Sequence, residues 1–140
     1  MSEIVTKCPA KINLNLRILD KREDGYHNIQ TDYQLIDIYD YLKFKSNKDR
    51  NITIESKETY LNDEFNTIYQ SAEKLQKLMN ENAGVVIEVK KNIPTGSGLG
   101  GASSNAASTL VALNKLWRLN LNKHALIKIA SSINELAASM

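Results

Sequence analysis

The sequence predicts an α+β fold, in which strands come first and helices follow without regular βαβ alternation. Three observations support this fold class: strict polar and apolar alternation over residues 10–18, a helical repeat over residues 66–81, and a glycine-rich segment between a β-branched run and another helical repeat. A chain of 140 residues suffices for one hydrophobic core and rarely for two. We therefore expect a single domain over residues 1–140.

The N-terminal third of the chain is predicted to form antiparallel strands. The first strand, residues 10–18, is half-buried because its apolar side chains alternate with polar ones. Its apolar face consists of Ala10, Ile12, Leu14, Leu16 and Ile18. Residues 20–25 form a charged turn that ends in Asp-Gly, a dipeptide suited to a tight hairpin. A long strand over residues 26–44 and a short one over residues 51–55, after a turn at residues 46–50, complete this part.

The remaining elements alternate between helices and one further strand. Apolar residues at helical spacing predict a helix over residues 66–81, with Asn66 as its N-cap. A β-branched strand over residues 85–90 follows, and a glycine-rich loop over residues 93–103 leads into a helix over residues 104–117. A last helix begins near Lys123. Trp117 lies on the apolar stripe of its helix and is expected in the core.

Composition excludes several classes of protein. Cys8 is the single cysteine, so the chain can form neither an internal disulfide nor a cysteine-rich metal site, which fits a reducing, cytoplasmic setting. It needs no functional role. No stretch approaches the roughly 20 apolar residues of a membrane span. A formal net charge of +2 gives no concentrated basic field, so neither a membrane nor a nucleic-acid partner is expected.

The glycine-rich segment has the outline of a phosphate site. It lies between a predicted strand and a predicted helix, so its glycines allow the backbone to approach a ligand closely. The helix that follows directs unpaired N–H groups and a partial positive charge at that ligand, which favours an anion by about 0.3 to 1 kcal/mol. Ser103 and Ser104 could also donate to phosphate oxygens or reach a bound Mg²⁺.

The residues around the segment distinguish among the known phosphate loops. A Walker-type loop needs Lys and then Ser or Thr after its closing glycine, but Ala102 follows Gly101. A dinucleotide fingerprint matches formally at Gly96, Gly98 and Gly101, yet it needs an acidic residue about 20 positions later. The stretch between Glu88 and Glu135 contains no acidic residue. Its basic residues are Lys90, Lys91, Lys115, Arg118, Lys123 and Lys128. An anion is favoured, and a flexible loop without a ligand is the alternative.

Three segments resemble a known family. Residues 94–107, Pro-Thr-Gly-Ser-Gly-Leu-Gly-Gly-Ala-Ser-Ser-Asn-Ala-Ala, resemble the phosphate-binding loop of the superfamily that contains the galactokinases and the homoserine, mevalonate and phosphomevalonate kinases. Residues 8–16 and 24–31 resemble the opening strand and the following turn and strand of those members that phosphorylate a cytidine diphosphate conjugate of methylerythritol in non-mevalonate isoprenoid biosynthesis.

The resemblance implies a fold and a reaction. The fold is the superfamily's N-terminal domain, a mixed sheet packed with helices and similar to ribosomal-protein S5 domain 2. The reaction is transfer of the γ-phosphate of ATP, with Mg²⁺, to a methylerythritol hydroxyl. The residues that would wrap the ATP phosphates are Pro94, Thr95, Gly96, Ser97, Gly98, Leu99, Gly100, Gly101, Ala102, Ser103 and Ser104. The resemblance assigns no metal ligand.

The same resemblance assigns roles to four residues of the first two strands. Lys11 would be the active-site lysine, Asn13 would contact the methylerythritol end, and Tyr26 and His27 would contact the cytidine end. Lys11 and Asn13 share the polar face of a strand, so a cation lies beside an amide. Alone, Lys11 would be an ordinary solvated lysine and His27 a turn residue. The pair Tyr26-His27 offers an aromatic face and ring nitrogens, which suit a base.

The chain departs from the family near its C-terminus. The family's Gly-Ala-Asp-Val-Pro motif, whose Asp is the catalytic acid/base, has no counterpart, and Glu135 lies in a segment that reads as continued helix. The family's C-terminal domain is also absent. We therefore expect weak or no kinase activity from this chain alone, and self-association through exposed apolar surface. Another small-molecule kinase of the superfamily, related to mevalonate or homoserine kinase, and a non-catalytic S5-like binding module remain the alternatives.

Overall fold

Four strands and three helices are formed by the residues that the computed structural model describes, which are 3–21, 27–56, 63–79, 82–93 and 101–133. In chain order these elements are β1 (Glu3–Lys21), β2 (His27–Asn47), β3 (Ile52–Ser56), α1 (Asp63–Gln76), β4 (Gly84–Lys90), α2 (Gly101–Leu116) and α3 (Lys123–Ser131). The order strands, helix, strand, helix, helix confirms the predicted α+β class.

The four strands form one mixed sheet in the order β1-β2-β4-β3. β1 pairs with β2 and β2 pairs with β4 in antiparallel orientation, whereas β3 and β4 are parallel. Parallel neighbours need a crossover connection, and α1 supplies it between β3 and β4. The sheet therefore combines a long hairpin with one βαβ unit, a connection that the prediction from sequence did not contain.

Several elements begin or end away from their predicted bounds. β1 begins at Glu3, because residues 3–10 also alternate between exposed and buried positions, although Thr6 and Lys7 weaken the apolar pattern. α1 ends at Gln76, five residues before the predicted end. The Gln76 side chain donates hydrogen bonds from Nε2 to the carbonyl oxygens of Ala83 (2.7 Å) and Arg50 (2.8 Å), so it bonds to the connections around the helix end.

The helices cover one face of the sheet, and the core lies between the two layers. α2 packs across β1 and β2, α1 packs against β3 and α2, and α3 packs against α2. The sheet contributes Leu42, Phe44, Val85, Ile87 and Val89 to the core, and the helices contribute Ile68, Ala72, Leu75, Leu110 and Leu113. Trp117, which directly follows α2, belongs to the same core. The prediction that Trp117 is a core residue is confirmed. Its indole Nε1 donates to the Gly84 carbonyl oxygen at 3.4 Å.

Gly84 lies where β4 begins and approaches another backbone segment closely. A Cβ atom at this position would come within 3.0 Å of both the backbone nitrogen and the carbonyl oxygen of Asn51. The next amide, that of Val85, donates to the same Asn51 oxygen at 2.9 Å. The contact therefore requires glycine for space, and it fixes the start of β4 beside the turn that precedes β3.

The β1-β2 hairpin extends beyond the rest of the sheet. β4 pairs with residues 41–47 of β2, whereas β2 residues 27–36 are paired with β1. The register shifts between Pro9 and Ala10, where Asp37 and Ile38 are additional residues on β2. We call the part of the hairpin formed by residues 10–21 and 27–36 the hairpin arm. It begins beyond Tyr41, the β2 residue that pairs with Lys90 at the C-terminal end of β4. In the part of the chain described here, none of the helices is long and apolar enough to cross a bilayer.

Candidate phosphate-binding site

The glycine-rich segment is flanked by the end of β4 and the start of α2, as predicted. β4 ends at Lys90 and α2 begins at Gly101, so the predicted loop residues Gly101, Ala102 and Ser103 form the first turn of α2. The helix therefore begins three residues earlier than its predicted start. Its first N–H groups have no acceptor within the helix, and its first turn contains no acidic residue. This helix N-terminus favours an anion electrostatically.

Some of the candidate residues lie outside the described part of the chain. These are Tyr26, Pro94, Thr95, Gly96, Ser97, Gly98, Leu99 and Gly100. Asn13 lies on β1 opposite Tyr33, and His27 lies on β2 opposite Lys21, so both are strand residues of the hairpin arm. Ser104 is half-buried in the first turn of α2. The roles that the resemblance implies for these residues remain predictions.

Lys11 lies at the base of the hairpin arm. It pairs with Leu35 on β2 and follows the register shift between Pro9 and Ala10. Its side chain is half-buried, whereas the neighbouring Ala10 is fully buried. Lys11 is therefore on the strand predicted from sequence, four residues beyond Lys7, which lies at the level of the sheet where β4 ends.

A buried carboxylate, that of Asp40 on β2, lies at the same level of the sheet. Asp40 is 0% exposed. Its Oδ1 accepts hydrogen bonds from the backbone N–H groups of Asn92 (2.6 Å) and Ile93 (2.8 Å). Its Oδ2 accepts from the ammonium of Lys91 and from Nδ2 of Asn105 at 2.9 Å. Four donors thus converge on one side chain, and they come from both sides of the glycine-rich segment.

The same carboxylate changes the electrostatics that the sequence suggested. The side chain of Lys91 is 2% exposed and forms an ion pair with Asp40, so its charge is compensated inside the protein. The stretch between Glu88 and Glu135 has no acid of its own, but β2 supplies one. Lys91 therefore does not belong to an open basic surface. The basic residues of this stretch that remain exposed are Lys90, Lys115, Arg118, Lys123 and Lys128.

Further polar contacts connect α2 to the strands beneath it. Cys8 pairs with Asp40 across β1 and β2, and its thiol hydrogen-bonds to Ser108 of α2. Burial raises the pKa of the Cys8 thiol to about 11, with the Ser108 hydrogen bond opposing the increase. The thiol is therefore protonated at neutral pH. The Thr109 hydroxyl donates to the Asn105 carbonyl oxygen at 2.7 Å.

Sequence reasoning missed Asp40 and Asn105, although a signal for Asp40 existed. Asp40 has the same parity as Leu42 and Phe44 in the predicted second strand, so it is an acidic residue on an apolar face. A charge at such a position needs a buried partner. The partner itself could not be read from the sequence, because Lys91 is 51 residues away and Asn105 is 65 residues away.

The sequence and the fold are those of the N-terminal domain of a kinase family. Residues 66–139 match the family described as GHMP kinases N terminal domain, which is just over half of the chain. The chain belongs to this family. The family match continues through residue 139, beyond the last helix of the structure.

Within this family the chain is similar to 4-diphosphocytidyl-2-C-methyl-D-erythritol kinases. It is 47% identical over 132 residues to the enzyme of that name from Prochlorococcus marinus (strain MIT 9215), covering 94% of this chain and 42% of the relative. It is 44% identical over 121 residues to the Methylococcus capsulatus enzyme of the same name, covering 86% of this chain and 42% of the relative. The chain therefore spans less than half the length of these curated relatives.

Solved structures agree with the family. A crystal structure of 4-(cytidine 5'-diphospho)-2C-methyl-D-erythritol kinase superposes with a TM-score of 0.75 at 28% identity, covering 97% of this chain and 49% of that one. A homoserine kinase from Cytophaga hutchinsonii superposes with a TM-score of 0.69 at 20% identity, covering 99% of this chain and 42% of that one. The second likeness shows the fold alone.

Proposed function

We propose that this chain provides the ATP-binding and substrate-binding part of a kinase that phosphorylates a methylerythritol hydroxyl of 4-diphosphocytidyl-2-C-methyl-D-erythritol. The observation that carries the proposal is that the first turns of α2 and the residues after β4, which flank the glycine-rich segment in the sequence, bond to the same Asp40 carboxylate. The similarity to the Prochlorococcus enzyme supports the substrate, because homoserine and mevalonate kinases share only the fold at 20% and 16% identity. The substrate is thus a small cytidine diphosphate conjugate, and we place the reaction in the cytoplasm.

The proposed reaction moves one phosphoryl group. The substrate hydroxyl oxygen attacks the γ-phosphorus of ATP, the bond from that phosphorus to the β,γ-bridging oxygen breaks, and ADP leaves while the hydroxyl proton is lost. The transition state is loose and rich in negative charge, so positioning and positive charge lower its energy most. The N–H groups of the first turn of α2 and the Ser104 hydroxyl would bind phosphate oxygens. Lys11 would contribute its charge from β1.

The remaining substrate contacts follow the resemblance. Asn13 would bind the methylerythritol end, and Tyr26 and His27 would bind the cytidine end; Asn13 and His27 belong to the strands of the hairpin arm. Mg²⁺ would neutralise charge on the phosphates of ATP. Across the described ranges, no group of three acidic, histidine or cysteine side chains could hold a metal ion. Mg²⁺ commonly binds through one or two protein groups together with the substrate phosphates, so Ser104 is the described residue that fits this role.

Nucleotide titration tests the proposal directly. Calorimetric titration of the chain with ATP in the presence of Mg²⁺ should show saturable binding, and Ser104→Ala should weaken it several-fold. Ser131→Ala is the matched control, because Ser131 is an exposed serine on α3 whose hydroxyl donates to the Lys128 carbonyl oxygen. Absence of ATP binding together with salt-sensitive RNA binding would contradict the proposal and favour a binding module.

A phosphoryl-transfer assay tests the expectation about activity. With radiolabelled ATP and the cytidylated substrate, we expect transfer by this chain alone to be weak or absent, since a positioned base contributes about 10²- to 10⁴-fold. Lys11→Met should abolish any transfer that remains, whereas Lys45→Met at the far end of the hairpin should not. Turnover at an ordinary kinase rate, about 1 to 100 s⁻¹, would contradict this expectation.

A further inference from the structure

The hydrogen bonds of Asp40 join two parts of the chain that are separated by the glycine-rich segment. On the strand side, Oδ1 accepts from the amides of Asn92 and Ile93, which directly precede residues 94–104. On the helix side, Oδ2 accepts from Nδ2 of Asn105, which directly follows Ser104. One fully buried side chain therefore bonds to the residues on both sides of residues 94–104.

The surroundings of Asp40 make this connection rigid. Lys91 compensates its charge from a position that is 2% exposed, and Asn92 donates from Nδ2 to the Tyr39 carbonyl oxygen at 2.8 Å. Asn105 is also 0% exposed, and its own carbonyl oxygen accepts from Thr109 one turn later. Asp40 belongs to β2, an interior strand of the sheet, so both ends of the segment are hydrogen-bonded to the buried interior of the fold.

We propose that Asp40 is a positioning residue that, through Asn92, Ile93 and Asn105, holds the start of α2 against the residues that follow β4, so that the first turn of α2 presents its N–H groups to a phosphate chain. A binding group that is already held in place loses less conformational freedom when the ligand binds, and that smaller loss appears as tighter binding. Asp40 and Asn105 are fully buried, so neither touches the ligand. This inference depends on the proposed ATP binding for its ligand, whereas the effect on the segment itself can be measured without ATP.

Asn105→Ala is the test variant that removes the helix-side bond and leaves the Asp40–Lys91 ion pair in place. Asn114→Ala is its matched control, because Asn114 is another amide on α2 that bonds to backbone. Its Nδ2 donates to the Leu121 carbonyl oxygen at 3.0 Å and its Oδ1 accepts from the Leu121 amide at 2.9 Å. Asn105→Ala removes the Nδ2 bond to Asp40, whereas Asn114→Ala removes two bonds to Leu121, so the control should lose at least as much stability, but at the α2–α3 connection.

Two measurements separate positioning from general destabilisation. Hydrogen exchange followed by mass spectrometry, without ligand, should show exchange at least 10-fold faster over residues 93–105 in Asn105→Ala than in the native chain or in Asn114→Ala. Calorimetric titration with ATP and Mg²⁺ should show a Kd raised about 10-fold by Asn105→Ala and changed less than two-fold by Asn114→Ala. Asp40→Asn, where it folds, should change both quantities at least as much.

Each result has a defined meaning. Equal exchange over residues 93–105 in the two alanine variants would overturn the positioning role, whether or not ATP binds. Faster exchange with an unchanged Kd for ATP would also overturn it, because the anchored ends would then not serve phosphate binding. A native chain that does not bind ATP contradicts the proposed function, and the exchange measurement then still decides whether Asp40 holds the segment.

Discussion

Replacing Asp40 with asparagine should destabilise the protein strongly, and the geometry of the carboxylate explains why. Each oxygen of Asp40 accepts from two donors: Asn92 and Ile93 amides at Oδ1, and Lys91 and Asn105 at Oδ2. An asparagine side chain has one acceptor oxygen, and its NH₂ group would face two donors in either orientation. Two buried donors would lose their acceptor, and the ammonium of Lys91 would have no compensating charge.

The expected loss follows from these contacts. Breaking a buried ion pair by removing one partner costs about 3 to 5 kcal/mol, and each buried donor left without an acceptor costs about 1 to 3 kcal/mol. The contributions overlap, so we expect a total decrease of about 3 to 5 kcal/mol in the free energy of unfolding. A domain of ordinary stability, about 5 to 15 kcal/mol, would remain folded but with little margin.

Urea unfolding of a double-mutant cycle provides the measurement. Lys91→Met in the Asp40→Asn background removes the uncompensated charge, so the double variant should recover at least half of the loss. Asp37→Asn is the control, because Asp37 is an exposed aspartate on the same strand, and it should change stability by less than about 0.5 kcal/mol. A loss below about 1 kcal/mol for Asp40→Asn, or no recovery in the double variant, would refute the reasoning.

Three further predictions concern the core and its pH dependence. The pKa of Cys8 is raised from 9.0 to about 11, so the stability that its burial contributes is fully present below pH 9 and is lost as pH rises through 11. One pKa unit corresponds to about 1.4 kcal/mol. In urea unfolding, the native chain should therefore lose roughly 2 kcal/mol by pH 11 relative to Cys8→Ala. Parallel pH profiles of the two proteins would contradict this. Gly84→Ala should lower the unfolding free energy by about 1 to 3 kcal/mol, because its Cβ would collide with the Asn51 backbone. The control Asn82→Ala, at an exposed neighbouring position, should be nearly neutral. Equal melting temperatures for the two variants would count against the close approach of Gly84 to Asn51. Leu113 is 0% exposed, so Leu113→Ala should lower the free energy of unfolding by about 2 to 5 kcal/mol. Val111 is 48% exposed on the same helix, so Val111→Ala should lower it by less than about 1 kcal/mol. Similar losses for the two variants would mean that α2 buries another face.

Local sequence patterns predicted the elements well where one face of the element is buried. The alternation over residues 10–18 lies within β1, the helical repeat over residues 66–81 overlaps α1, and the strand before and helix after the glycine-rich segment are β4 and α2. These patterns work because burial of one face imposes a period of two on a strand and 3.6 on a helix. The bounds were less accurate at β1, where Thr6 and Lys7 interrupt the apolar pattern, and at α2, where glycine and small residues carry little signal.

Local sequence signals indicated part of the candidate site. The glycine-rich segment and Ser104 were proposed from residue types between a strand and a helix, and Lys11 was proposed from the resemblance to the family; their roles remain predictions. Asp40 was missed because it appeared to be one charged residue within a long strand, and Lys91 was counted among solvated basic residues. Both errors have the same origin: a charge on an apolar face is informative only together with its partner, and the partner is distant in the chain.

The sequence by itself determined which segments are strands and helices, that a glycine-rich segment precedes a helix, and the family to which those motifs point, because each depends on residues that are neighbours in the chain. Only the tertiary structure decided that β4 lies between β2 and β3, antiparallel to β2 and parallel to β3. That strand order brings Lys91 next to Asp40 and sets α2, with Asn105, above them. The two contacting pairs are separated by 51 and by 65 positions in the chain. Such contacts depend on the order of strands and the packing of layers, which no local sequence period encodes.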